Sequence, residues 1–423
     1  MEKPLRRAEG IIMSRGFLLR IGALTALTLG VSLVHGEDNW PRFRGPEGNG
    51  VSTSTGLPTD WSPTNNIRWK SAVPGEGFSS PIVWGQSVFV TAALERGSRR
   101  VVHCVDRSTG LIRWSSEIKC SIPEKTSAMT GHAAATPVTD GKRVVASFGN
   151  AGLVCFDMEG KRLWQRSLGD FDTELGLASS PILYRDTVIL VCDHDGTRFT
   201  SFDSFLIALE VGSGETRWKT ERRGLERSWS TPILAPLPDR RELIVSAQDE
   251  VRGYDPETGK LLWQSAGMTG WVAPSPVFGL GMIFAVSGKN GPVRAISPGS
   301  KGNVKPEWEV PTGGPYVCTP ILKGEYLYVH DEKGILTCYE AKSGQRIYRE
   351  RLEGKFTASA VAGDGKLFLP NEEGTTYVIR AGKKFEILAK NALEEYTLAT
   401  PAIGGTDLFL RTEKHLFCIK SAP

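Results

Sequence analysis

"YDPETGKLLW", Tyr254 to Trp263, sets an acidic residue, a Thr-Gly-Lys turn and a terminal tryptophan within ten residues. The acid can hold backbone N–H groups of the turn, and Gly259 can supply the positive φ that closes it. The same phrase stands at "CVDRSTGLIRW" (Cys104–Trp114), "CFDMEGKRLW" (Cys155–Trp164) and "ALEVGSGETRW" (Ala208–Trp218). A phrase that returns along a chain marks one structural unit used many times.

A second phrase precedes each turn: two small residues, a proline and an apolar run. It reads "SSPIVW" from Ser79, "ATPVTD" from Ala135, "SSPILY" from Ser179 and "STPILA" from Ser230. It returns as "PSPVFG" from Pro274, "CTPILK" from Cys318, "ASAVAG" from Ala358 and "ATPAIG" from Ala399. The spacing of 40 to 56 residues suits a blade of four short strands. Period-two apolar runs such as "SVFVT" and "YLYVH", with no helical periodicity between them, point to an all-β chain. The expected architecture is an eight-bladed β-propeller of four-stranded antiparallel blades.

The aromatic that ends the fourth strand runs Trp114, Trp164, Trp218, Trp263, Trp308, Tyr348, Phe385. The eighth unit stops at "HLFCIKSAP" without a fourth strand, whereas "NNIRWKSAV" (Asn65–Val73) places Trp69 at the aromatic phase. The N-terminal strand is therefore expected to complete the last blade, which removes an exposed sheet edge. A tryptophan repeated once per blade cannot mark an active site in every blade. It offers area for packing at the seams, a structural docking role for Trp69, Trp114, Trp164, Trp218, Trp263 and Trp308.

Residues 1–36 read as a signal peptide: Arg6, Arg7, Arg15 and Arg20 precede the run "IGALTALTLGVSLV", and Val34-His35-Gly36 offers a cleavage site. Met13 is an alternative start, and an uncleaved anchor is the alternative reading. The organisation expected is 1–36 signal peptide, 37–63 N-terminal extended arm and 64–423 propeller, with a secreted or periplasmic location. Cleavage after Gly36 would remove five of 51 Lys/Arg and two of 47 Asp/Glu, leaving 46 against 45. No basic excess remains, which argues against a nucleic-acid partner. Cys104, Cys155, Cys338 and Cys418 share one phase with Ala208, Gly253, Ala295 and Val378, so they read as small buried thiols. Pairing among Cys120, Cys192 and Cys318 stays open.

The small-x-Pro strand, the Asp-x-x-Thr-Gly-Lys turn and the outer tryptophan resemble the pyrroloquinoline quinone (PQQ) repeat. "WPRFRGPEGNGVS" (Trp40–Ser52) is similar to the opening of exported bacterial propellers of this kind. The resemblance covers nearly the whole chain after residue 36 and implies an eight-bladed ring. It leaves two functional branches: quinoprotein alcohol dehydrogenases, and the non-catalytic assembly propeller BamB. The enzyme branch implies PQQ held between a tryptophan and a disulfide of adjacent cysteines, with Ca²⁺ and an aspartate base. This chain has no Cys-Cys pair, and none of those residues transfers by position.

The residues themselves carry little catalytic signal. "CDHDG" (Cys192–Gly196) sets Asp193 and Asp195 at alternate positions, with Asp203 near, resembling half of a calcium loop; an Asx-turn loop is the alternative. No zinc spacing, nucleophile elbow or phosphate loop is present. A constellation emerges from the register instead. Just upstream of each small-x-Pro strand sits a bulky or ring residue: Phe78, His132, Leu177, Trp229, Trp271, Tyr316, Phe356 and Tyr396. Loops at Ala92–Arg100, Cys120–Gly131 and Asp193–Asp203 fall on the same face, as does Ser287–Gly291. That face is expected to form an aromatic mouth with Arg227, Lys289 and Asn290, either a recognition surface or a plug. The expected function is a non-catalytic scaffold for a protein or cell-envelope ligand, with no cofactor. A PQQ-dependent dehydrogenase and a carbohydrate or small-ligand binder are the alternatives.

Overall fold

The computed structural model describes residues 38–421 apart from 172, 195–203, 223, 226 and 227. The signal-peptide segment, Arg227, Asp195 and Asp203 lie outside the described residues. Residues His35–Pro423 form one compact unit. It contains eight antiparallel sheets arranged as an eight-bladed propeller. Blade 1 is typical, with strands Ile82–Trp84, Ser87–Leu94, Arg99–Asp106 and Ile112–Lys119 running from axis to rim. The innermost strands start after the proline, so the small residues before it line the axis outside the sheet. No helix among the described residues is long and apolar enough to cross a membrane.

Ring closure follows the expected register. Ile67–Ala72 pairs antiparallel with His415–Ile419, placing Trp69 opposite Cys418. The other outer tryptophans also face the small-residue phase: Trp114 opposite Cys104, Trp164 opposite Cys155, Trp218 opposite Ala208 and Trp308 opposite Ala295. A bulky strand-three residue there would collide with the indole. All seven cysteines are free and buried. Burial pushes the Cys104 thiol up to about 11 and those of Cys155 and Cys338 to about 12.

Each of these tryptophans docks on the next blade. Trp69 Nε1 donates to Arg107 O (2.8 Å), Trp114 to Met158 O (2.9 Å), Trp164 to Val211 O (3.0 Å), Trp218 to Pro256 O (3.1 Å) and Trp308 to Ala341 O (2.9 Å). The acceptors belong to the repeated turns, whose acids behave as the sequence suggests: Asp106 Oδ1 accepts the N–H groups of Ser108 and Thr109. Gly214 shows why the turn ends in glycine. Its φ is +73°, and a Cβ would stand 2.7 Å from the Trp164 ring. The apolar core is accordingly a series of seams. One cluster joins Ile182, Ile189 and Trp218 of blade 3 to Leu243, Val245 and Tyr254 of blade 4.

Three blades depart from this pattern: blade 6 sets Tyr348 opposite Cys338, and blades 4 and 7 differ further. Trp263 is 1% exposed, and its ring fills the space beside Gly253, where a Cβ would stand 2.2 Å away. Its Nε1 donates to the buried Glu242 Oε2 (2.8 Å), which also accepts Gly299 N–H (3.2 Å) from the blade-5 turn. A carboxylate thus stands in for the turn carbonyl of the other seams. In blade 7 the aromatic position holds Ala389, opposite Val378; Phe385 precedes the strand Ile387–Ala392 and packs on Tyr348 instead. The sequence expectation for Phe385 is corrected here because a one-position reading of the outer strand cannot see a longer turn. The vacated space is filled by Trp61. It stacks on Phe368 with centroids 6.5 Å apart, where Trp69 meets Phe409 (6.0 Å) and Trp114 meets Phe89 (5.8 Å) in tilted contacts. Asn391 Oδ1 accepts Trp61 N–H (3.2 Å).

Trp61 belongs to the N-terminal arm, which packs across the ring. Inter-blade links and second hairpins lie on one face, the mouth face; first hairpins and acid-to-glycine turns lie on the other. The arm crosses that second face. Trp40 exchanges two backbone hydrogen bonds with Val83 (2.8 Å each), Pro41 O accepts Thr139 N–H (2.9 Å), and Gly50 and Ser52 bracket Ala362 (2.7 and 2.8 Å). Blades 1, 2 and 7 are tied in this way.

Two expectations follow. Deleting Ile67–Ala72 should abolish cooperative thermal unfolding, since it opens the ring and leaves Cys418 without its Trp69 cover; circular dichroism melts read this, and an unchanged transition refutes closure. Trp61→Ala should cost about 3–5 kcal/mol in urea unfolding, whereas Phe385→Ala should cost about 1 kcal/mol.

Candidate functional site

The residue before each proline, or before Ala360, is always serine or threonine. In the structure these eight hydroxyls form a belt around the axis. The backbone N–H of each donates to the hydroxyl of the next: Ser80 to Thr136 (3.0 Å), Thr136 to Ser180 (2.9 Å), Ser180 to Thr231 (3.0 Å) and Thr231 to Ser275 (3.1 Å). The series continues from Ser275 to Thr319 (3.0 Å), Thr319 to Ser359 (2.9 Å) and Ser359 to Thr400 (3.0 Å). At the remaining junction Arg411 makes the bridge, its Nη1 donating to Ser79 Oγ (2.7 Å) and Thr91 O (2.7 Å). The innermost strand has no sheet partner on the axis side, so these bonds satisfy N–H groups that would otherwise be orphaned. In the sequence the belt's signal is a hydroxyl residue at all eight positions before proline or Ala360.

The belt encloses a cavity of about 200 Å³. Phe43 of the arm lines it together with Phe78, Trp229 and Tyr316; Met129 and Leu175 join them. Just behind Phe43, the fully buried Arg44 is held by three carbonyls: Ala360 O (2.9 Å), Pro320 O (2.6 Å) and Asn49 O (2.8 Å). The arm therefore covers the channel on its own face, leaving a blind cavity toward the mouth face. Among the described lining residues there is no carboxylate, histidine, cysteine, lysine or arginine.

The upstream aromatics divide. Trp229 and Trp271 stack at 5.7 Å and 22°, and Tyr316 leans on Trp271 at 6.3 Å. Trp229 Nε1 donates to Gly176 O (2.8 Å), fixing the ring at the rim. Lys289 Nζ lies 3.8 Å from the Trp271 ring centroid. Asn290 accepts Gly313 N–H (3.0 Å) and so shapes the loop that carries this lysine. Phe78 meets the exposed Tyr396 edge-on at 6.1 Å. His132 and Phe356 do not join the mouth. His132 packs over Gly97 and shares a hydrogen bond with Glu124 O (3.0 Å), and Phe356 is buried beside His330 and Tyr377. Leu177 packs into the seam of blades 2 and 3. Backbone register placed all eight at strand entry, but the link geometry decides where each ring points.

The mouth-face loops are tied by buried ion pairs. Glu124, in the loop Cys120–Gly131, meets Arg100 at 2.9 Å, with Arg100 wholly buried. Asp193 grips Arg222 through both oxygens (2.9 and 2.7 Å), neither residue exposed. That carboxylate is committed to a guanidinium, and among the described residues no cluster of three potential metal ligands occurs. The expected loop Ala92–Arg100 is instead a long hairpin, with Ser87–Leu94 paired to Arg99–Asp106.

The family described as outer membrane protein assembly factor BamB matches residues 50–205 and 202–317. The chain belongs to this PQQ-repeat family. The quinohemoprotein alcohol dehydrogenase from Comamonas testosteroni superposes with a TM-score of 0.69 at 11% identity, covering 91% of this chain and 81% of that one. BamB from Moraxella catarrhalis superposes with a TM-score of 0.61 at 11% identity, covering 83% and 98%. A europium-containing methanol dehydrogenase reaches 0.54 at 11% identity, covering 88% and 89%. Likeness at such identity shows the fold alone. No curated protein matches.

His330, at the blade-6 edge of the belt, donates Nε2–H to Ala358 O (3.1 Å) as a neutral ring. Burial holds its pKa at about 4, below the ordinary 6.5. The unfolded chain takes up a proton below 6.5 and the folded one does not until about 4. Stability should therefore fall as pH drops through this window, by about 3 kcal/mol in total. Urea titrations at several pH values should show His330→Gln, which keeps a donor for Ala358 O, losing that component.

Proposed function

We propose that this chain is an exported, non-catalytic binding scaffold whose working surface is the mouth face. The observation that carries the reading is the chemistry of the described channel lining: hydroxyls, methyls and rings, without an acid, base or thiol. A quinone dehydrogenase needs a base to take the alcohol proton and a cation to polarise the quinone. The described lining supplies neither a carboxylate base nor a ligand set for a cation, so PQQ and calcium do not fit these residues. Trp69, Trp114, Trp164, Trp218 and Trp308 spend their indole N–H groups on neighbouring turns.

Docking is supported by the exposure of large apolar groups around the mouth. Ile122 is 67% exposed and Met129 40%, on a loop fixed by the buried pair Arg100–Glu124, and Tyr396, 42% exposed, stands on the link into the last blade. Rigid loops that present rings and aliphatic groups suit recognition of a protein or cell-envelope partner, because little ordering entropy is lost on binding. The basic, apolar N-terminal segment supports export to the periplasm or beyond. The BamB branch of the family supports assembly work as the kind of task.

The test is spectroscopic. The purified chain is titrated with PQQ and Ca²⁺ and assayed for dye-linked oxidation of alcohols and sugars. No saturable shift and no turnover are expected. A saturable shift with turnover would overturn the scaffold reading in favour of an oxidoreductase.

A further inference from the structure

The belt hydroxyls do two jobs at once. Seven of them accept a backbone N–H, and none donates to an acceptor among the described residues. A hydroxyl keeps one proton to donate whatever its lone pairs accept. The belt therefore turns a ring of unspent O–H donors toward one small cavity, each side chain at most 5% exposed.

Two buried cations stand directly behind this ring. Arg44 bonds the carbonyls of Pro320 and Ala360, the residues that follow Thr319 and Ser359. Arg411 bonds Ser79, which precedes Ser80. Neither guanidinium has a carboxylate partner among the described residues; Nε of each, and Nη2 of Arg411, has no hydrogen-bond partner. Burial lowers both to about 9, so both remain charged at neutral pH. The nearby carboxylates belong to the rim, where Glu332 accepts Tyr316 N–H (2.9 Å) and Glu372 accepts the Thr357 hydroxyl (2.7 Å). Rim charges are screened by water, whereas buried ones act through a less polarisable medium. The interior of the belt is thus donor-rich and positive, while the rim above it sets these carboxylates beside an apolar arc formed by Phe78, Trp229, Tyr316 and Leu175.

We propose that the channel is a binding site for a small carboxylate bearing an apolar group, its oxygens on the hydroxyl belt and its apolar body against the Trp229–Tyr316 rim. Hydroxyl-to-carboxylate hydrogen bonds are short and charge-assisted, about twice as strong as neutral ones. The dimensions suit a single ring or short branched chain. This site goes beyond the scaffold reading, which requires no channel ligand.

A matched series tests it. The full chain is titrated with 3-phenylpropionate, 3-phenylpropionamide and 3-phenylpropylammonium, which share a body and differ in charge, with tryptophan fluorescence and thermal shift as readouts. The carboxylate should saturate, bind at least about tenfold more tightly than the amide and raise the melting temperature; the ammonium should not saturate. In the double variant Thr231→Val, Thr319→Val, which keeps volume, the preference for carboxylate over amide should shrink to about threefold or less. Equal binding of carboxylate and amide, preference for the ammonium, or no saturation by any member overturns the proposal on the unmodified chain, whatever the variant's folding. Such a failure leaves the scaffold reading standing, because that reading is decided separately by the quinone titration.

Discussion

Closure of the ring is the constraint on which everything else rests. Ile67–Ala72 and His415–Ile419 come from opposite ends of the sequence and pair as neighbouring strands. Trp69 then docks on the blade-1 turn through Arg107 O, as the other seam tryptophans dock on theirs. An open row of blades would present two raw edges. It would also leave the innermost strands diverging, with no reason for eight hydroxyls to meet. Once closed, the same strands converge, and each N–H before a proline finds the hydroxyl of the next blade. The loop-closure entropy of so distant a pairing grows only slowly with length, so a few well-packed strand residues can offset it.

The seams tolerate change as long as their volume stays filled; the hydrogen bond is replaced at Trp263 but not at Trp61, whose indole N–H is buried without a partner. Where strand three offers glycine instead of cysteine or alanine, Trp263 swings into the gap and Glu242 supplies its acceptor. Where the outer strand offers Ala389, Trp61 arrives from the arm and takes up the same relation to Phe368. Both substitutions keep an indole in the seam, which is what close packing demands. The arm is consequently part of the fold: it fills a seam at Trp61, pairs with Val83 at Trp40 and backs the channel with Phe43 and Arg44.

Much of the site was readable in part. Aromatics just upstream of the small-x-Pro strands led to Phe78, Trp229, Trp271 and Tyr316, because the repeat register fixes where a link enters the ring. The same rule placed His132 and Phe356 with them, and there it failed. A link can turn a ring toward the axis or into the seam, and that choice depends on partners such as Glu124 O for His132 and Tyr377 for Phe356. Asp193 looked like half of a metal loop because the partner that claims it, Arg222, lies 29 residues on, just past the strand Thr216–Glu221. The belt was missed for a different reason. A serine or threonine before proline looks like any small residue until the next blade is in place to donate to it.

The sequence by itself determined the all-β architecture, the number of blades, the completion of the last blade by Trp69 and the membership of a PQQ-repeat family. These follow from local, repeated chemistry: an acid and a glycine that make a turn, alternating apolar strands and a small residue opposite an indole. Tertiary structure alone decided that the arm covers the channel, that Trp61 replaces an outer-strand aromatic, that Arg44 and Arg411 stand buried with no counter-charge among the described residues and that the belt hydroxyls face one cavity. Each of these relates residues from different blades or from opposite ends of the chain. A repeat encodes what every unit shares, whereas function in a ring is made where the units meet.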